Sequence, residues 1–290
     1  MLILTESDLA QTIESFSLLA QNLLDSDLDR PWAWKGYNEG ARFIFFRVYE
    51  EIRALQARLA AQRRAAGPAL TAAQDLLANH HQAYWALQAV LLPGSPRLLD
   101  LQPSAGEWTP RQTLRHLINA EFSFFEAIRA NLQIHHHGQD PSLNQVQEIL
   151  ETSRAQVEPQ HQQAFALSLD SILALYSDIH YHGIESLAGL SDAQLTLPTF
   201  DWEEEAFPLE FRLVRLDAHL RQHTIQLQKT LTAHNARPTE AQRLLAHIFS
   251  AVAGLESTLL GAPGLNPIAL EEAAGQISFY TEALAQVLAE

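Results

Sequence analysis

An all-α fold follows from three features of this sequence. Apolar residues recur at three- and four-residue steps along most of its length. Helix starts are marked by Ser or Thr with Gln three residues later, and β-branched alternation is nearly absent. The helical patterns fall at about residues 6–25, 38–66, 72–92, 109–134, 143–157, 160–189, 208–234, 239–260 and 267–289. Helices of this length are marginal alone, so each apolar face must be buried against another helix. The expected architecture is therefore one of bundles.

Taken in order, helix 6–25 carries Leu9, Ile13, Phe16, Ala20 and Leu23 on one stripe, with Thr5 and Asp8 as a starting cap. Helix 38–66 repeats the pattern with Ala41, Ile44, Val48, Ile52, Leu55 and Leu59, and stops at Gly67-Pro68. Capping boxes open four further helices, at Thr71/Gln74, Thr109/Gln112, Ser142/Gln145 and Thr239/Gln242. Pro110 adds the favoured first-turn proline. Helix 72–92 ends before Pro93-Gly94, and helix 109–134 ends at His135-His136-His137 before Gly138. Cations suit a helix C-terminus, so those three histidines read as a solvated capping cluster. Asn266 precedes Pro267 at the start of the last helix, and Gly261 with Pro263 stops the one before it. Residues 190–208 break the periodicity with two prolines and the acidic run around Trp202, as a connector suited to covering the mouth of a site or simply to lying in solvent.

Composition narrows the function. The 34 acidic against 19 basic side chains give a net charge of −15, which argues against a nucleic-acid partner or an anionic membrane surface. No run approaches the length of a membrane span, and the N-terminus has too short an apolar stretch for a signal peptide, so a cytoplasmic location is expected. There is no cysteine, so a transition-metal site must be built from histidine and carboxylate, which favours zinc, nickel, iron or manganese.

Helix 208–234 is the one that invites such a site. Leu209, Leu213, Leu216, Leu220, Leu227 and Leu231 form its apolar stripe, and His223 fills the vacant step between Leu220 and Leu227. His219 lies one turn earlier at the stripe's edge. Thirteen histidines would give roughly 0.6 such pairs by chance, so the spacing alone is weak and a third ligand decides it. Leu220 stands where a zinc protease would carry its glutamate, so that motif is absent. His116 lies about two turns into the capped helix 109–134, on an apolar flank. Glu121, on the seam with Leu114, Ile118, Phe125 and Ile128, is the candidate catalytic carboxylate, to orient a ligand or shuttle a proton, or else an ion pair at the rim. His180 and His182 are two apart, so only one faces inward; His182 continues the Ile172, Tyr176, Ile179 stripe. His80 and His81 lie near Tyr84 and Trp85 with no specific signal.

The stretch Glu107-Trp-Thr-Pro-Arg-Gln-Thr-Leu-Arg-His-Leu-Ile-Asn-Ala-Glu121 resembles the second helix of the DinB/YfiT-like four-helix-bundle metalloproteins. Asp217-Ala-His-Leu-Arg-Gln-His-Thr-Ile-Gln-Leu-Gln228 resembles the fourth. The resemblance covers residues 72–234 and implies a DinB-like bundle with a divalent ion held by His116, His219 and His223. It also implies a metal-dependent transferase or hydrolase: thiol transfer, thiol-dependent isomerisation or hydrolysis of a small-molecule substrate, with a low-molecular-weight thiol as partner. Two departures stand out: helix 143–157 is additional, and Thr224 occupies a position where such proteins often carry a second histidine. The competing reading is a non-catalytic helical stress or interaction protein whose metal site is structural or vestigial.

Residues 1–67 and 235–290 flank the DinB-like segment 68–234 and carry four amphipathic helices. These are expected to form a second, degenerate bundle into which the first is inserted. Faint echoes support this, Ala41–Phe46 with Ala120–Phe125 and Arg215–His219 with Arg243–His247; in them Tyr37 stands for His116 and Ala251 for His223. The competing arrangement has the terminal pairs packing separately or building a homodimer interface.

Overall fold

The computed structural model describes residues 7–67, 70–262 and 264–289. Among them nine α-helices follow one another: α1 (Asp8–Ala20), α2 (Arg42–Ala66), α3 (Ala72–Leu91), α4 (Pro110–His136), α5 (Leu143–Phe165), α6 (Leu169–Leu187), α7 (Leu209–Ala233), α8 (Glu240–Leu259) and α9 (Pro267–Ala289). One short antiparallel ribbon, β1 (Pro198–Thr199) with β2 (Phe207–Pro208), interrupts an otherwise all-α fold.

The local start signals act as read. Thr71 Oγ1 accepts from the Gln74 backbone N–H at 3.1 Å, and Gln74 Oε1 accepts from the Thr71 N–H at 3.2 Å. The same reciprocal bonds form at Thr109/Gln112, Ser142/Gln145 and Thr239/Gln242. They satisfy backbone donors that a helix start otherwise leaves orphaned. Asn266 caps α9 by accepting from Ala269 N at 3.1 Å. The cap expected at Thr5 lies outside the described residues, as do Pro68 and Pro263; Ser7 caps α1, accepting from Ala10 N at 3.2 Å.

Boundaries differ: α1 ends at Ala20 rather than 25 and α2 begins at Arg42 rather than 38, and the largest change is in α5. The helix expected to stop at residue 157 runs through Pro159 to Phe165, and α6 begins only at Leu169, capped by Ser168. Val146, Leu150, His161 and Phe165 are buried on both sides of the proline. Continuous packing of that face outweighs the roughly 3 kcal/mol an internal proline costs.

The chain divides into two compact units. The first joins residues 1–70, 85–93 and 236–290. In it α1 packs on α9, and α2 on both α8 and α9. Phe16 meets Phe45 edge-on at 5.2 Å in a core continued by Ile52, Leu55, Leu245, Leu255, Ile277 and Leu284. The buried Arg63 of α2 donates to Thr258 O and Leu260 O at 2.8 and 2.6 Å, closing the end of α8. The last turns of α3 cluster with this unit, where the Trp85 indole donates to Glu256 Oε2 at 2.7 Å and packs on Phe249.

The second unit comprises residues 71–84 and 94–235, with α4 at its centre against α5, α6 and α7. Helices α4 and α6 approach so closely at Gly183 that a Cβ there would overlap the Phe125 ring. The 190–208 connector is firmly held. Asn131 of α4 donates to Phe200 O and accepts from Phe200 N, at 2.7 and 2.9 Å. Arg212 of α7, 1% exposed, grips Glu203 with bonds of 2.7 and 2.8 Å and Thr199 O at 3.2 Å. The ribbon is thus pinned by Asn131 and Arg212, while Trp202 remains half exposed at 52%.

Candidate metal centre

Helix periodicity brings His219 and His223 to the same face of α7, and α4 lies opposite with His116. The His219 Nε2 atom is 3.2 Å from His116 Nε2 and 3.1 Å from His223 Nε2. Ligands about 2.0–2.1 Å from a shared ion at tetrahedral angles sit ~3.3 Å apart, so these separations fit a common coordination point. His223 Nδ1–H donates to Gln226 Oε1 at 2.7 Å, which turns the Nε2 lone pair toward the other two rings. Trp108 packs against His116 at 5.0 Å and Phe124 meets His219 edge-on at 5.6 Å.

All three rings titrate low. Burial lowers His219 to about 4, helped by the neighbouring His223, His116 and Arg215. Burial and then His223 lower His116, and burial lowers His223 against the upward pull of Gln226. They are therefore neutral imidazoles near pH 7, the form that coordinates. His219 and His223 are buried and His116 faces solvent.

The triad borders a cleft of about 720 Å³ lined also by Trp108, Phe124, Trp202, Arg215 and Gln226. A neighbouring lobe of about 600 Å³ shares Trp108, His116 and Trp202 and adds Arg115 and Arg154. Asp201 borders that lobe, its carboxyl raised to about 6 by burial. The acidic connector thus forms one wall of the cleft.

Glu121 is placed elsewhere. It is 3% exposed in the core between α3, α4 and α6, where Tyr176 donates to Oε2 and His180 Nδ1 lies against Oε1, both at 2.7 Å. His80 Nε2 is 3.2 Å from the same Oε1. It is neither at a rim nor on the cleft lining. The inward histidine of α6 is His180, fully buried; His182 is exposed and accepts from Arg129 at 2.9 Å. The inward steps run Ile172, Tyr176, His180, Ile184 and Leu187, so reading Ile179 into the stripe shifted it onto His182. His135, in the last turn of α4, does not cap that helix with its ring but donates to Pro198 O of the ribbon at 2.8 Å, away from either cluster. Gln226 was missed as a partner, although it stands three residues after His223 on the same face.

A family model of the DinB superfamily matches residues 77–227, just over half of the chain. The chain belongs to the DinB superfamily. The matched span holds His116, His219 and His223 as well as His80, Glu121 and His180, and it leaves out α1, α2, α8 and α9. No curated protein and no solved structure matches the chain significantly. The DinB-like unit contains His and Glu groups with the spacing to hold a metal ion. No helix among the described residues is long and apolar enough to cross a membrane.

Proposed function

We propose that this DinB protein is a metal-dependent enzyme whose ion is held by His116, His219 and His223. The observation that carries the reading is the convergence of three neutral Nε2 atoms beside a solvent-reached cleft. Three protein ligands leave at least one position open, which is how catalytic sites differ from closed structural ones. A divalent ion there supplies Lewis acidity that lowers the pKa of a water or thiol joining it. Gln226 holds the tautomer of His223, and Trp108 and Phe124 pack against the His116 and His219 rings.

The cleft also suggests what enters. Arg215 and Arg115 have no acidic partner among the described residues, and Arg154 bonds only the hydroxyl of Ser123, at 3.0 Å. In a chain of net charge −15 these guanidinium groups make a local positive field suited to a carboxylate. Trp108 and Trp202 offer flat apolar walls. A small anionic substrate with an apolar body, reacting with a low-molecular-weight thiol, fits that lining.

The test loads the protein with Co²⁺ and adds small thiols. A thiolate-to-metal charge-transfer band is expected in the wild type and absent in His223→Ala. If the band is the same in both, or absent from both, the reading fails. A melting temperature unmoved by chelator would instead favour the non-catalytic interaction protein.

A further inference from the structure

Three helices each place a polar residue where the seam calls for an aliphatic one. His80 follows Ala73 and Leu77 inward on α3, Glu121 lies between Ile118 and Phe125 on α4, and His180 between Tyr176 and Ile184 on α6. They are 1%, 3% and 0% exposed. Buried polar groups are costly unless they satisfy one another, and a buried carboxylate needs a compensating positive charge. No Arg or Lys reaches Glu121 among the described residues; the groups against its carboxylate are His80, His180 and Tyr176.

The geometry is half satisfied in an informative way. Glu121 Oε2 accepts from Tyr176, whose phenol is pushed up by burial and by that carboxylate and so stays a donor. His180 Nε2 lies 2.9 Å from His81 Nδ1, which fixes the ring and leaves Nδ1 facing Glu121 Oε1. Tyr84 stacks flat on His180 at 4.0 Å. His80 differs: neither of its ring nitrogens makes a hydrogen bond among the described residues, although Nε2 is 3.2 Å from Oε1. An orphaned buried imidazole costs about 1–3 kcal/mol. Approach at that distance without hydrogen-bond alignment is what lone pairs directed at a shared point produce.

We propose that His80 Nε2, Glu121 and His180 Nδ1 hold a second divalent transition-metal ion, sealed within the bundle and separate from the cleft. The donor atoms of the three residues lie within 4.8 Å of one another. Two imidazoles with one carboxylate suit a first-row ion such as Zn²⁺ rather than Mg²⁺ or Ca²⁺. Tyr176 on the carboxylate and His81 on the far nitrogen of His180 are the orienting partners that metal ligands require. The ion would give His80 its missing partner, offset the Glu121 charge and cross-link α3, α4 and α6. With no side chain of the cluster open to solvent, its role is structural.

Because the site is closed, the full chain is unfolded and refolded with Zn²⁺, then freed of loose metal by chelator. Elemental analysis should find two ions in the wild type and one in His223→Ala. Glu121→Gln, which keeps the shape but removes the charge, should hold one ion, in the cleft. Should Glu121→Gln fail to fold, the absorption of Co²⁺ refolded into His223→Ala decides alone. Folded His223→Ala that retains no Zn²⁺ and shows no Co²⁺ spectrum overturns the proposal. One ion in the wild type, kept in His223→Ala and lost in Glu121→Gln, would sink the cleft reading and leave this one standing.

Discussion

The DinB unit carries two three-residue clusters on one helix, and they differ in almost every respect but that. His116 and Glu121 are five positions apart on α4, about 7.5 Å along its axis. The first joins two histidines of α7 beside a cleft walled by Trp108 and Trp202 with Arg115 and Arg215 on its lining. The second joins histidines of α3 and α6 in a core closed by Tyr84, Phe125 and Tyr176. The open cluster is all imidazole, and its rings repel one another's protons. The closed one contains its own carboxylate, which burial pushes up but the contacts of His80 and His180 hold below its usual range. Access therefore matters beside ligand type: solvent and small molecules reach the first cluster, while the second is closed within the bundle.

The sharpest way to break the comparison is His223→Ala. It should remove the cleft ion entirely, with little change in the closed cluster, as elemental analysis of protein purified without a nickel column would show. Glu121→Ala should do the reverse, leaving Tyr176 and His180 without their shared acceptor. We expect a loss of about 3 kcal/mol in denaturant unfolding with the cleft ion retained. Equal stability in that variant would mean the carboxylate is dispensable to the core.

What could be read in advance follows the range of the forces involved. The four capping boxes act over three residues, and all four form as written. The inward position of His223 depends only on the period of α7, and it is 4% exposed. By contrast, the setting of Glu121 depends on α3 and α6, which arrive from 41 residues before it and 59 after it, so its own flank of Leu114, Ile118 and Phe125 could not reveal it. The path of α5 through Pro159 likewise rests on packing, not on local propensity. The grip of Arg212 on Glu203 and Thr199 had no signal in periodicity, because an arginine on an apolar stripe reads as a surface residue until its partners are known.

Smaller effects sharpen the contrast. Gln226→Leu should weaken metal binding 10- to 100-fold by freeing the His223 tautomer, measured by competition with a chromogenic chelator. pH should act on the open cluster in the metal-free protein. Its His219 is lowered from 6.5 to about 4, so the unfolded chain takes up protons more readily than the folded one. That contribution to stability is present above pH 6.5 and is lost as pH falls toward 4. Melting temperature should therefore drop across that window, and less so in His219→Ala. Least of all, His182→Ala, at an exposed ring paired with Arg129, should shift stability by under about 0.5 kcal/mol in thermal melts.

The ribbon between α6 and α7 has a consequence for how such a protein could be re-tasked. Its footings are Thr199, Phe200 and Glu203, while Trp202, Glu204, Glu205 and Ala206 at its tip are exposed. The footings grip α4 and α7, the same two helices that carry His116, His219 and His223. The tip is therefore an exchangeable cartridge in a fixed socket: its sequence can be rewritten to recut the cleft wall while the three-histidine geometry beneath stays put.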